Sequence, residues 1–127
     1  MKKLKISLLF FFLLTAHLSA DMPEGIVEAI KEQDEVKLAG YFNTNIEMTV
    51  LANEDVYSKA QAREIVKRFF TNHPVDQFQL IHEGGKANSQ FAIGEMKSGD
   101  DRFRITIFVK SVDQKLLIHQ LRIEHDN

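Results

Sequence analysis

DQFQLIHEGGKANSQFAIGEMKSGDDRFRITIFVKSVDQKLLIHQLRIEH, residues 76–125, decides the fold. Its hydrophobic period is two from end to end, the spacing of strands with one buried face. The alternation predicts strands over 77–83, 89–97, 102–112 and 115–125, with turns at Gly84-Gly85, Ser98-Gly99-Asp100 and Asp113-Gln114. In the third strand Phe103, Ile105, Ile107 and Val109 share one face, while Arg102, Arg104, Thr106 and Lys110 share the other. Links this short join antiparallel neighbours, so the segment reads as a four-stranded meander with one face under helices.

Working backwards, Pro74 closes a long helix by disfavouring helical geometry at His73. Ser58 and Gln61 open that helix as a capping box. Ala62, Ile65, Val66, Phe69 and Phe70 form its buried stripe; Arg63, Glu64, Lys67 and Arg68 cover the opposite face. Ahead of it, Ile46, Met48 and Val50 alternate with Glu47 and Thr49, and Asn53-Glu54-Asp55 turns into a short strand around Val56 and Tyr57, a small hairpin. Pro23 suits a first helical turn, with Ile26, Val27 and Ile30 on one face behind it. Asp34 caps a second helix carrying Leu38, Tyr41 and Phe42, which Asn43-Thr44-Asn45 stops. The fold class is α+β: two short N-terminal helices, a small hairpin, one long helix, then the meander curved around the helices.

Residues 1–20 read differently. Lys2, Lys3 and Lys5 precede the apolar run Ile6–Leu14, and Leu18-Ser19-Ala20 ends the stretch before Asp21. A basic head, a greasy core and a small residue at the cut make a secretory signal. The run falls short of the ~20 apolar residues of a membrane span. The expectation is a removed signal over 1–20 and one domain over 21–127, periplasmic or extracellular and soluble. Three of the 16 basic side chains, and none of the 18 acids, leave with the signal, so the formal charge moves from −2 to −5. An acidic domain without a basic block disfavours nucleic acid and the surface of anionic lipid. The absence of cysteine removes disulfides, thiolate zinc sites and a lipid-modified cysteine anchor.

The order of elements resembles the cystatin-like cone of the nuclear transport factor two and ketosteroid isomerase superfamily. The carrying residues are Leu38-Ala39-Gly40-Tyr41-Phe42, Asn45-Ile46-Glu47-Met48, Tyr57-Ser58-Lys59-Ala60-Gln61-Ala62, Phe69-Phe70, His82-Glu83-Gly84, Ile93-Gly94 and Gln120-Leu121-Arg122-Ile123-Glu124. Together they look most like a family of small exported bacterial proteins known only as a domain of unknown function. The resemblance implies the cone and no activity, because this superfamily hosts isomerases, dehydratases, binders and assembly domains alike.

The isomerase branch needs a carboxylate base and oxyanion donors inside the cone; ketosteroid isomerase is a standard example. Tyr41 is a candidate donor, or else an amphipathic core residue with its hydroxyl at the rim. Most acids sit in turns, where Asp is a turn former. Glu95 is the exception. His82 shares parity with Phe78 and Leu80, Glu95 with Phe91 and Ile93, and His119 with Leu117 and Leu121. If the strands pair in order, His82, Glu95 and His119 gather on the concave face. There they line a ligand pocket, bind a metal or exchange protons, or are satisfied sheet residues. The spacing carries no metal motif, so neither metal nor cofactor is expected. Arg102 and Arg104 read either as an anion clamp or as outer-face partners of Asp100, Asp101 and Glu124. His73 and His125 read as solvated.

The leading expectation is therefore a secreted, non-catalytic domain of unknown role that binds a small apolar or amphipathic ligand in the cone, with Tyr41, His82, Glu95 and His119 as its ligand-binding residues. The alternative is a protein-interaction or homodimerisation domain using the open sheet face. An isomerase- or dehydratase-like enzyme is third.

Overall fold

A computed structural model describes residues 21–126. The signal expected over 1–20 lies outside the described residues. Three helices pack on one face of a six-stranded sheet. The elements are α1 (Glu24–Lys31), α2 (Glu35–Ala39), β1 (Phe42–Val50), β2 (Asn53–Ser58), α3 (Lys59–Asn72), β3 (Gln77–Lys86), β4 (Ser89–Ser98), β5 (Asp101–Val112) and β6 (Lys115–His125). Strand order is β2-β1-β6-β5-β4-β3. Every pairing is antiparallel except β1 with β6, which run parallel. The meander and the hairpin are thus one sheet. Sequence periodicity gave four strands in the meander and a small hairpin but not their union into six, because a parallel pair between β1 and the last strand leaves no local signal.

The caps explain the helices. Ser58 Oγ accepts from the Gln61 N–H at 3.3 Å and Gln61 Oε1 accepts from the Ser58 N–H at 3.1 Å, so both halves of the capping box form. Asp34 accepts from the Lys37 N–H at 2.9 Å. Between α1 and α2, Gln33 stands in the left-handed region at φ 56. The Asp34 N–H reaches the Ala29 carbonyl at 2.8 Å and the Gln33 N–H the Ile30 carbonyl at 3.1 Å, the two bonds of a Schellman ending. Lys37 then ties α2 back to α1 through Glu28 at 3.1 Å and Glu32 at 3.8 Å.

The core lies between sheet and helices. Ile26, Ala29 and Ile30 of α1, Leu38 of α2 and Ala62, Val66, Phe69 and Phe70 of α3 meet Phe103, Ile105, Ile107 and Val109 of β5, with Met96, Ile118, Leu121 and Ile123 around them. Gly94 has a packing role: a Cβ there would overlap the buried Phe78 ring.

Several local expectations are corrected. The second helix ends at Ala39, and Phe42 opens β1 instead of extending that helix. Gly40 is a poor helix former, and the Ile118 N–H binds the Tyr41 carbonyl at 2.6 Å, drawing the chain into the sheet. Asn43-Thr44-Asn45 is therefore strand. The hairpin turns at Leu51-Ala52, with Asn53-Glu54-Asp55 already in β2. Leu51 accepts φ 56 because its N–H is held by the Ile123 carbonyl at 2.8 Å. Gly84-Gly85 is strand as well, and β3 turns into β4 at Ala87-Asn88. Gly84 is needed for packing, since a Cβ there would strike the Phe91 ring; Gly85 takes φ 111.

Candidate functional site

Three of the four residues singled out from sequence lie on the sheet face away from the helices. Two bulges and one parity decide this. β3 carries an extra residue, Ile81, between the pairs Leu80–Gly94 and His82–Ile93. That bulge turns His82 to the outer face with Ile93. In β6, Phe108 pairs with Gln120 but Val109 with Ile118, leaving His119 as the extra residue on the outer side. In β4 the buried positions are Gln90, Ala92, Gly94, Met96 and Ser98, so Phe91, Ile93 and Glu95 point outward. The expected gathering on the concave face is corrected accordingly.

His82 and His119 sit three strands apart, roughly 14 Å at 4.8 Å per strand, too far to share a ligand atom. Among the described residues no group of three His, Asp or Glu is placed to hold a metal ion. Glu95 pairs with Arg102 at 3.7 Å, and Arg104 with Asp126 at 3.5 Å, so neither arginine waits for an anion. His119 Nε2 is buried without a hydrogen-bond partner among the described residues. Burial pushes this imidazole below its ordinary value, and the Lys110 ammonium adds to the effect. Tyr41 is half-buried beneath α1, its hydroxyl over Gly25, where a Cβ would overlap it. It stands at the start of β1, roughly 27 Å from that strand's other end.

That other end holds a cleft the sequence reading missed. α3 and the β1–β2 hairpin bound a cavity of about 370 Å³. Its floor is apolar, from Val50, Leu51, Ile65 and Phe69. Tyr57, Arg68 and His73 supply polar groups, with Asn53 and Asn72 at the margins. Tyr57 shares the inner face with buried Ile46, its pairing partner, which aims its ring toward α3. His73 is not simply solvated. Its ring is half-buried, with centroids 4.9 Å from both Phe69 and Phe103. Phe69 meets Phe103 edge-on at 5.1 Å, so this aromatic cluster separates cleft from core. A larger depression of about 510 Å³ lies along edge strand β3, where Lys31, Asp76, Glu95, Lys97 and two glutamines surround Val75 and Phe78, so charges of both signs line it.

Arg68 was assigned to the solvent face of α3. At 3.6 residues per turn it lies about 60° round the helix from Ile65, on the border of the apolar stripe. That border position was the available signal.

The domain-of-unknown-function model DUF4783 matches residues 23–124. The chain belongs to the DUF4783 family. A family member from Bacteroides ovatus is 29% identical, with a TM-score of 0.80 over 85% of this chain and 98% of that one. One from Bacteroides uniformis is 30% identical, with a TM-score of 0.79 over 84% and 99%. A Kribbella flavida protein assigned as a ketosteroid isomerase shares the fold at 15% identity, with a TM-score of 0.57 over 82% of this chain and 74% of that one. That likeness is one of fold alone, the α+β fold that the sequence resemblance implied. No curated protein matches the chain. Among the described residues, no helix is long and apolar enough to cross a membrane.

Proposed function

We propose that this DUF4783 chain is an exported, non-catalytic domain that holds a small amphipathic molecule in the cleft between α3 and the β1–β2 hairpin. The observation that carries the reading is the cleft: a few hundred cubic ångström, an apolar floor and a few convergent polar groups, the usual make-up of a small-molecule site. The site lies at the mouth of the cone, because Phe42, Met96, Phe103 and Ile105 fill its interior. None of the nine lining residues is a carboxylate, so the base that isomerase chemistry requires is missing there. Nile red, a neutral apolar dye, should brighten on binding, and Ile65→Asp should abolish the response. A wild-type protein that leaves the dye dark, and carries no bound small molecule in native mass spectrometry when purified from its host, would overturn the reading. Export rests on the pattern of residues 1–20, and N-terminal sequencing that finds Met1 on the exported protein refutes it.

A second reading has its own observation. The outer sheet face exposes Phe91 at 41% and Val56 at 58%, with half-buried Phe108 opposite Phe91 on β5 and half-buried Ile93 two positions along β4. Arg104, Lys110 and Arg122 alternate across that face with Glu47, Glu95 and Glu124. A second copy turned about a two-fold axis brings opposite charges together around the aromatic stripe. Sedimentation at tens of micromolar distinguishes dimer from monomer, and Phe108→Glu should leave only monomer.

A further inference from the structure

We infer that the molecule held in the α3–hairpin cleft carries an anionic head of the carboxylate class, and that Arg68 holds it. The inference rests on the ligand-binding reading above and names the chemistry of its occupant. The chain has five arginines. Four face carboxylates: Arg63 with Glu64 at 3.7 Å, Arg102 with Glu95 at 3.7 Å, Arg104 with Asp126 at 3.5 Å and Arg122 with Glu124 at 2.8 Å. Arg68 has no such partner among the described residues. The nearest acid on its helix flank, Glu64 one turn earlier, is the one Arg63 engages.

The charge around the cleft is one-sided. Arg68 is its single formally charged lining residue, and the other polar groups (Asn53, Tyr57, Asn72 and His73) are neutral or basic. A guanidinium beside an apolar floor suits a carboxylate, which it can bind through two parallel N–H donors. The carbonyl end of α3 opposes an anion there with about half an elementary charge. The full charge of Arg68, one turn before that end, exceeds it. An adjoining hollow of about 420 Å³ shares Tyr57, Ile65 and Arg68 with the cleft and adds Ala60, Gln61 and Glu64. Glu64 makes that half the wrong place for an anionic head, so the head belongs with Arg68 and the floor of Ile65 and Phe69 takes the tail.

The test uses octanoate and octanol, which share a tail and differ in the head. Both are titrated into isotope-labelled protein by NMR, reading the signals of Tyr57, Ile65 and Phe69. Octanoate should bind roughly tenfold more tightly than octanol, the effect of one charge-assisted contact. The preference should shrink at high salt, since Arg68 is exposed. Arg68→Gln should reduce octanoate to the affinity of octanol and leave octanol unchanged. Equal binding of the two probes by wild type, or a preference that survives Arg68→Gln, overturns the anionic head while the cleft stands. If neither probe moves these signals, the cleft reading and this inference both fall.

Discussion

Gln33 sets two effects of similar size against each other, and substitutions there separate them. Its backbone is left-handed at φ 56, a conformation that costs a non-glycine residue roughly 1–2 kcal/mol. Its side chain compensates across the fold: the Val75 N–H donates to Gln33 Oε1 at 3.1 Å, in a part-buried setting. Such a bond contributes about 0.5–1.5 kcal/mol net. Gln33→Ala keeps the strain and loses the bond, so it should destabilise by about 1 kcal/mol. Gln33→Gly loses the same bond but relieves the strain, offset by the roughly 0.4–1 kcal/mol that glycine adds to the freedom of the unfolded chain. The glycine variant should therefore fall within about 0.5 kcal/mol of wild type and above the alanine variant. For a domain of this size 1 kcal/mol moves the melting temperature by about 4–8 °C, well within the resolution of thermal denaturation followed by circular dichroism. An alanine variant as stable as the glycine variant would refute the left-handed turn. An alanine variant as stable as wild type would refute the contribution of the Val75 bond.

Ser58→Ala should cost about 1 kcal/mol by removing the α3 cap, and Phe69→Ala roughly 3–5 kcal/mol by opening a cavity against Phe103. Urea denaturation checks both, and an unchanged midpoint for Phe69→Ala would deny that the α3 stripe faces the core. His119 should make stability pH-dependent in one direction. Its folded value lies below the ordinary imidazole value of about 6.5, so the unfolded chain takes up the proton first. Its neutral form is fully compatible with the fold above 6.5. As pH falls below 6.5 toward the depressed value, stability should drop and then level off. His119→Gln should flatten that part of the profile, and parallel stability–pH curves for the two proteins would show that burial does not shift this imidazole.

The capping box, the α3 stripe and the β5 alternation were legible because each is a local pattern whose partner lies within a few residues. The parallel β1–β6 pair was not, since Met48 and Leu121 meet across 73 positions with no turn between them to signal it. The faces of His82 and His119 were misread because their strands bulge, and that of Glu95 because alternation in β4 does not say which side is covered. Period-two reasoning carries a side's identity along a strand, and one extra residue reverses it from that point on. Ile81 did this to His82, and the extra residue at His119 left it beside Gln120 on the outer side. Gly84-Gly85 misled for a related reason. A Gly-Gly pair ordinarily marks a turn, but here Gly84 makes room for an aromatic ring on the neighbouring strand.

The cleft was illegible for a different reason, and that reason bears on function. Its lining comes from the end of β1, from β2 and from the C-terminal half of α3, elements each read correctly in outline. What sequence lacked was the gap between hairpin and helix, open while the rest of the inner face is closed. Tyr57 of β2 and Ile65 of α3 are half-buried, whereas Val66, Phe69 and Phe70 of α3 are buried. The apolar stripe of α3 is therefore wider than the core needs, and its spare edge faces the hairpin across the cleft. A helix that only supported the sheet would place polar residues at Ile65, as it does at Glu64 and Lys67. Apolar surface left at that edge, with an unpaired arginine one turn further along, is what a site for an amphipathic anion requires.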